Sequence, residues 1–386
     1  MLSESAMLRV LFVTPSFFPA FYFGGPPIAA HSLCNALVGA GVDVRVITTD
    51  AADDKGGRLG VSGRTVDYPA GYSVTYCRRF GNGTVSASLL TALCESVRDA
   101  NVVHLSGVYS FPTFPALGLA RALSKPIVWS AHGAFQDAHQ SRRGILKATW
   151  RLGCRALKPK KTVIHFTSAL EERESRMTTR HLEKVVIPHG VDIPDTVAAR
   201  QPSNAEPLEL LYVGRLHPVK AVDTLLHACE ELNRVGFTNW FLNIAGEGDS
   251  DYVATIQRQI LRSNLGSQVR LLGRVTGREK DLLFQSADML ILPSPRENFG
   301  MVVAEALANG TPVIVTHGAP WHEVESIGCG LAVRSCPETI SDAVIRMSRM
   351  PRHEMGQRGR DWMRAAFSWK YSAAQLKQLY SELTLQ

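Results

Sequence analysis

One pattern runs through this chain twice, and it constrains the fold more than any other feature. A short run rich in Val, Ile and Leu is followed by a glycine-bearing turn and a helical stretch. It starts at Arg9 and starts again at Leu208. Strands that are apolar on both faces belong in a parallel sheet covered by helices on both sides. In the first half, strands are expected at Arg9–Thr14, Asp43–Thr48, Val102–Leu105, Pro126–Ala131, Thr162–Phe166 and Lys184–Ile187. Helices are expected between them, at Ile28–Val38, Ser86–Arg98, Thr113–Leu123, Arg142–Leu157 and Ser168–Thr178. In the second half, strands are expected at Leu208–Val213, Trp240–Ala245, Val269–Leu272, Met289–Leu292 and Pro312–Val315, with a helix over Ala221–Val235 and helical composition from Pro337. Pro194–Pro207 between the halves is polar, has no periodicity and reads as a linker. The expected fold class is α/β, with two Rossmann-like domains facing across a cleft.

Length supports the division, since 386 residues exceed one ordinary α/β core and suit two domains of about 150–200 residues. The seven cysteines form no C-x-x-C pair and read as reduced thiols of a cytosolic protein. No apolar run is long enough to span a bilayer. The apolar stretch Leu8–Thr14 is interrupted by Arg9 and runs into Pro15, so it reads as a first buried strand and not as a signal peptide. The net charge of +7 is uneven: residues 1–200 hold 23 Lys and Arg against 15 Asp and Glu, the remainder 19 against 20. Such asymmetry suggests that the first half meets an anionic partner.

Several positions carry chemistry. Gly214-Arg215-Leu216-His217-Pro218-Val219-Lys220 leaves a strand and opens a helix, so backbone amides, Arg215 and Lys220 can close on a diphosphate. Pro293–Gly310 also leaves a strand and enters a helix. There Glu297 stands in the loop, and Glu305 stands among apolar neighbours where a carboxylate needs a partner. Ribose hydroxyls would serve for Glu305, and the amides of Asn298, Phe299 and Gly300 can meet phosphate or sugar oxygens. Gly24-Gly25 permits close backbone approach, and His132-Gly133 stands at the carboxyl end of a strand, where ligands of such sheets bind. Arg142–Lys161 holds eight Lys and Arg and no acid. As a helix it aligns Ile145, Leu146, Trp150, Leu152 and Leu157, and reads either as a membrane-surface segment or as a sheet-covering helix with solvated cations. Its candidate contacts with an anionic surface are Arg142, Arg143, Lys147, Trp150, Arg151, Arg155 and Lys158. No metal-ligand constellation and no nucleic-acid reading motif are present.

Taken together these motifs resemble glycosyltransferase family 4, the group 1 transferases of GT-B fold, over nearly the whole chain. Glu297 to Glu305 is similar to the family's E-x7-E signature, and Gly214–Lys220 to its G-R-L-x-x-x-K segment, with Ala221 where Gly is common. Ile187-Pro188-His189-Gly190-Val191-Asp192 resembles I-P-N-G-V-D with His189 in place of Asn, and Gly24-Gly25 and Ala131-His132-Gly133 match N-terminal landmarks. The resemblance implies an acceptor domain over 1–195, a linker over 196–207, a nucleotide-sugar donor domain over 208–366 and a helix over 367–386 returning to the first domain. It implies that Arg215 and Lys220 bind the donor diphosphate, Glu297 contacts the transferred sugar, Glu305 holds the ribose, and Gly25 approaches the phosphates. Asn298, Phe299 and Gly300 would offer backbone contacts, and His132 would face the sugar.

The implied activity is retaining, metal-independent transfer of a hexose from a nucleotide-diphospho-sugar, a co-substrate, to a glycan or lipid-linked acceptor. No cofactor is expected. The expected place is the cytoplasm, with peripheral attachment to the inner face of the plasma membrane. A nucleotide-sugar epimerase, a sugar phosphorylase and a catalytically silent nucleotide-sugar-binding subunit are the alternatives of the same architecture.

Overall fold

The structure of the protein is a computed structural model that describes residues 7–136, 144–197 and 207–385. Residues 198–206 of the expected linker lie outside the described residues. The chain forms two compact units, one of Met1–Gly190 with Trp369–Gln386 and one of Val191–Ser368. Val191 donates its amide to Phe367 O at 2.7 Å, and a β-bridge joins it to Ser368, so the two ends of the second unit are tied together.

The first unit is built on β1 (Arg9–Val13), β2 (Asp43–Thr49), β3 (Thr65–Tyr68), β4 (Tyr72–Cys77), β5 (Val102–Ser106), β6 (Ile127–Ser130), β7 (Thr162–Phe166) and β8 (Glu183–Val186). They lie in the order β3-β4-β2-β1-β5-β6-β7-β8. Neighbours are parallel except β3 and β4, an antiparallel hairpin at the edge. The hairpin is absent from the sequence reading. β3 alternates exposed Thr65 and Asp67 with half-buried Val66 and Tyr68, so it carries no apolar run. β1, β5, β6 and β7 are buried almost throughout, as strands covered on both faces must be. Ser86 accepts from Leu89 N and caps the helix Ala87–Asp99, a contribution of about 1 kcal/mol. The C-terminal helix Trp369–Leu385 packs on the helix Gly25–Gly39. It buries Trp369, Ser372, Ala373, Leu376, Tyr380 and Leu383 at spacings of three and four, one helical face.

The second unit is built on β9 (Leu208–Val213), β10 (Trp240–Ala245), β11 (Val269–Gly273), β12 (Met289–Leu292), β13 (Val313–Thr316) and β14 (Gly330–Val333). All neighbours are parallel, in the order β11-β10-β9-β12-β13-β14. Leu208, Leu210 and Tyr212 of β9 join one core cluster, while Leu211 and Val213 join another, so alternate side chains feed the two faces of the sheet. The edge strand β14 begins on a glycine and was likewise not expected. Among the described residues no helix is long and apolar enough to cross a membrane.

Candidate active site

In the second unit two turns at the carboxyl ends of neighbouring strands lie backbone against backbone. A Cβ on Gly246, at φ 150°, would stand 1.8 Å from Gly214 O, and one on Gly248 would stand 2.0 Å from Leu216 O. Only glycine allows this approach. The Gly214–Lys220 turn ends in a single 3-10 turn, Pro218–Lys220, whose Val219 amide donates to His217 Nδ1 at 3.2 Å. Ala221 then enters the helix Val222–Arg234 with φ 53° and ψ 42°. That is left-handed backbone, which costs a Cβ-bearing residue roughly 1–2 kcal/mol and explains the preference for glycine there.

Lys220 Nζ is thereby carried to Glu297 Oε1, at 2.5 Å. Glu297 is 8% exposed, and its amide donates to Gly318 O at 2.9 Å. Gly318 passes so close to Pro295 O that a Cβ would stand 1.8 Å from it. Gly300, at φ 77°, opens the helix Met301–Ala308. A helix N-terminus stabilises an anion. The Phe299 ring turns into the unit against Trp321, 5.2 Å away, and its carbonyl accepts from the Trp321 indole. Arg215 is exposed. The Tyr212 phenol is raised above its ordinary range by burial and then by Glu297, while Arg215 acts the other way. Tyr212, a residue the sequence reading passed over, donates its hydroxyl to Arg215 O at 3.2 Å beneath this turn.

Glu305 stands on the helix with Lys280 Nζ 2.7 Å from each of its carboxylate oxygens. Sequence reasoning did not find Lys280, because nothing local links the two residues. The pairing has a cause: Asp192 is raised above the usual carboxylate range by burial, then by Glu305 and Asp281. Lys280 offsets part of that concentrated negative charge.

The first unit holds a different arrangement. Gly24, at φ 77° and ψ −139°, turns the chain into the helix that Gly25 begins. After β6, His132 at φ 49° and Gly133 at φ 81° both take left-handed backbone. Two contacts hold that turn. His132 Nε2 meets Ser106 Oγ at 2.9 Å, and Gly133 N donates to Glu171 Oε1 at 2.6 Å. Glu171 is fully buried, and its other oxygen accepts from Thr167 N and Thr167 Oγ1, each at 2.8 Å. The sequence carries a signal for it, Ser168-x-x-Glu171, the spacing of a helix capping box. That signal says nothing of Gly133. His132 and His189 lie nearly parallel, ring centres 5.6 Å apart, and Trp369 stands 6.3 Å beyond His189.

Beneath them runs a chain of hydrogen bonds whose direction is determined. Ile187 O can only accept, so His165 Nε2, 2.8 Å away, carries a proton. Burial pushes His165 down to about 4, so it is neutral and its bare Nδ1 accepts from Ser130 Oγ at 2.7 Å. With its one proton spent, Ser130 accepts from His104 Nε2, also at 2.7 Å. His104 Nδ1 then accepts from the Tyr380 hydroxyl. Burial likewise holds His104 and His189 well below the ordinary imidazole value and His132 at about 4.

On the helix Gly144–Leu157 the structure corrects one position. Trp150 does not face outward: its ring lies against Phe114 at 4.1 Å, and its Nε1 donates to Val108 O at 2.8 Å. The reason is helical phase, since Trp150, Cys154 and Leu157 make the face that joins the core. The exposed apolar residues are Ile145 at 84%, Leu146 at 66% and Leu152 at 69%. Arg155 is exposed, while Arg151 reaches Tyr109 Oη at 3.3 Å and Lys147 lies over the Tyr109 ring. Lys158 is half-buried. Arg142 and Arg143 lie outside the described residues.

Two family models match consecutive parts of this chain. Residues 23–194 match Glycosyltransferase Family 4, and residues 195–362 match Glycosyl transferases group 1. The chain belongs to glycosyltransferase family 4. It is 27% identical over 340 residues to a glycogen synthase of Mycobacterium tuberculosis, covering 80% of this chain and 78% of that one. It is 28% identical over 178 residues to an uncharacterized glycosyltransferase, MJ1178, of Methanocaldococcus jannaschii, covering 45% of this chain and 48% of the relative, about half its length. Among solved structures, sucrose-phosphate synthase from Thermosynechococcus elongatus superposes with TM-score 0.75 at 20% identity, covering 97% of this chain and 99% of that one. Anabaena HepE in complex with UDP-glucose superposes with TM-score 0.71 at 16% identity, over 97% of this chain and 100% of that one. The fold of this family 4 enzyme is GT-B.

Proposed function

We propose that this glycosyltransferase is retaining and metal-independent, and moves a hexose from a nucleotide-diphospho-sugar to a glycan or lipid-linked acceptor. The observation that carries the reading is the Lys220–Glu297 pair at the meeting of a glycine turn and a helix N-terminus. A half-buried ammonium beside a carboxylate is poised to exchange that partner for a donor diphosphate. Arg215 adds a second cation. Charge grows on the leaving diphosphate during transfer, so both cations stabilise the transition state more than the ground state. Glu297 is assigned to the transferred sugar, Glu305 to the ribose, and the amides of Asn298, Phe299 and Gly300 to phosphate or sugar oxygens. Gly25 is assigned to the phosphates and His132 to the sugar. That HepE was solved with UDP-glucose supports a UDP-hexose as the first donor to try. Lys220→Ala and Glu297→Ala should each lower kcat about 10²–10³-fold with melting unchanged. Near-normal turnover by both variants would sink the assignment.

We further assign the exposed side of the helix Gly144–Leu157 to an anionic membrane surface on the cytoplasmic side. Its support is Ile145, Leu146 and Leu152 standing beside Arg151, Arg155 and Lys158, with Met177 across a groove of about 430 Å³. Vesicles rich in anionic lipid should sediment the protein at low salt, and neutral vesicles should not. Equal weak binding to both would remove the claim.

A further inference from the structure

The donor turns stand at the carboxyl ends of the second unit's strands. At the opposite edge of the same sheet lies a cavity that the proposed function does not use. Asp288 and Pro312 line it, each the residue just before a strand, β12 and β13. Its other walls are the ends of the helices Gly277–Ser286 and Met301–Ala308, residues 195–197, and the helix Arg352–Ala366. Its volume of about 450 Å³ falls within the roughly 300–1,000 Å³ of small-molecule sites.

The helix Arg352–Ala366 gives the cavity its charge. Arg352, Arg360 and Arg364 lie on one ridge, spaced by multiples of four residues. The remaining position of that ridge is Gly356, where a Cβ would stand 1.8 Å from Gly310 O. The helix is therefore seated backbone against backbone, and its arginines stand on a rigid support. Arg352 Nε lies 3.4 Å from Asp288 Oδ1. Arg364 Nη1 lies 3.7 Å from Asp361 Oδ1, a loose pair with both side chains about half exposed. Arg360 differs. It is 5% exposed and donates to Ala308 O at 2.6 Å, to Asp195 O at 3.2 Å and to Pro194 O. All three acceptors are backbone carbonyls, whereas a buried charge is ordinarily paired with an opposite one. Burial lowers the Arg360 pKa first and Arg364 lowers it next, while Asp361 and Asp195 act the other way.

We propose that this cavity is a second ligand site, which takes the phosphate monoester of a small polyhydroxylated molecule, a sugar phosphate. The phosphate lies between Arg360 and Arg364, one helical turn apart. Its nearly two charges and three outer oxygens answer both guanidiniums. Gln357 and Thr196, both exposed at the rim, supply polar atoms for the hydroxyls. An uncharged sugar would leave the guanidiniums without a counter-ion, and an acyl chain would meet charge along one whole wall. The site goes beyond the transferase reading and does not depend on it, because no residue of the donor turns lines the cavity.

The test is calorimetry of the full chain with glucose 6-phosphate, glucose 1-phosphate, inorganic phosphate and glucose. At least one ester should bind, inorganic phosphate should bind about tenfold more weakly or worse, and glucose should not bind. Arg364→Ala should weaken the ester about tenfold, and Arg364→Glu should abolish its binding, with the melting temperature little changed in both. Arg360→Lys keeps the charge, loses the planar fork and should also weaken the ester. Lys220→Ala should bind the ester as the parent does, which separates this cavity from the donor turn. The proposal is overturned if neither ester binds, if inorganic phosphate binds as tightly as the esters, if both Arg364 variants bind as the parent does, or if Lys220→Ala abolishes binding.

Discussion

Two polar clusters of this chain, one in each unit, are built in opposite ways. In the first, the interior chain from Tyr380 through His104, Ser130 and His165 to Ile187 O holds no charge, because burial keeps both imidazoles neutral. In the second, the site is made of ions: Lys220 with Glu297, and Lys280 with Glu305. Neutral imidazoles can position a turn without attracting or repelling a charged ligand. Paired ions keep full charges available to a diphosphate and a ribose, at a desolvation cost that partial exposure keeps modest. The first cluster thus places a turn without charge, and the second, on the function proposed here, keeps cations ready to stabilise a charged leaving group.

The largest expected effect separates the two lysines of the second unit. On the proposed reading Lys220→Ala removes a transition-state contact and should lower kcat about 10²–10³-fold. Lys280→Ala leaves Glu305 unpaired beside Asp192 and should instead raise the donor KM about tenfold while kcat changes little. Steady-state kinetics decides, and equal kcat losses in the two variants would erase the distinction.

The next effect is concentrated in the first unit, where the fully buried imidazoles lie. His104 and His165 are depressed in the folded protein and return to about 6.5 on unfolding. Between those values the unfolded chain binds more protons, so stability is full above about pH 6.5 and is lost as pH falls toward 4. For His165 alone the loss is on the order of 3 kcal/mol near pH 4. Hydrogen exchange at pH 7 and pH 5 should show protection falling in residues 7–190 before 207–366. The reverse order would contradict the comparison. Smallest is a gain: Ala221→Gly relieves left-handed backbone and should stabilise the second unit by about 1 kcal/mol, read as a higher denaturant midpoint.

Much of the fold was legible. Thr162–Phe166, Leu208–Val213, Trp240–Ala245 and Met289–Leu292 are strands at the expected residues, because each is a short apolar run buried on both faces. Thr65–Tyr68 escaped because this edge strand alternates polar and apolar residues, and Tyr72–Cys77, paired on both sides, because Ser73 and Thr75 interrupt its apolar run. The sequence left open whether Trp150 faces a membrane or the sheet, because a helix of mixed composition leaves its rotation undecided until a neighbour such as Phe114 is in place.

The sequence by itself determined the doubled α/β pattern, the two phosphate-compatible turns and the Glu297-to-Glu305 spacing, because strand period, glycine geometry and helix phase act over a few neighbouring residues. Only the tertiary structure decided that Lys280 answers Glu305, that Glu171 holds Gly133, and that Tyr380 reaches His104 across 276 positions. These pairings form when packing removes water from groups far apart in the chain, and each buried polar atom must then bond to whatever polar atom the fold has placed beside it.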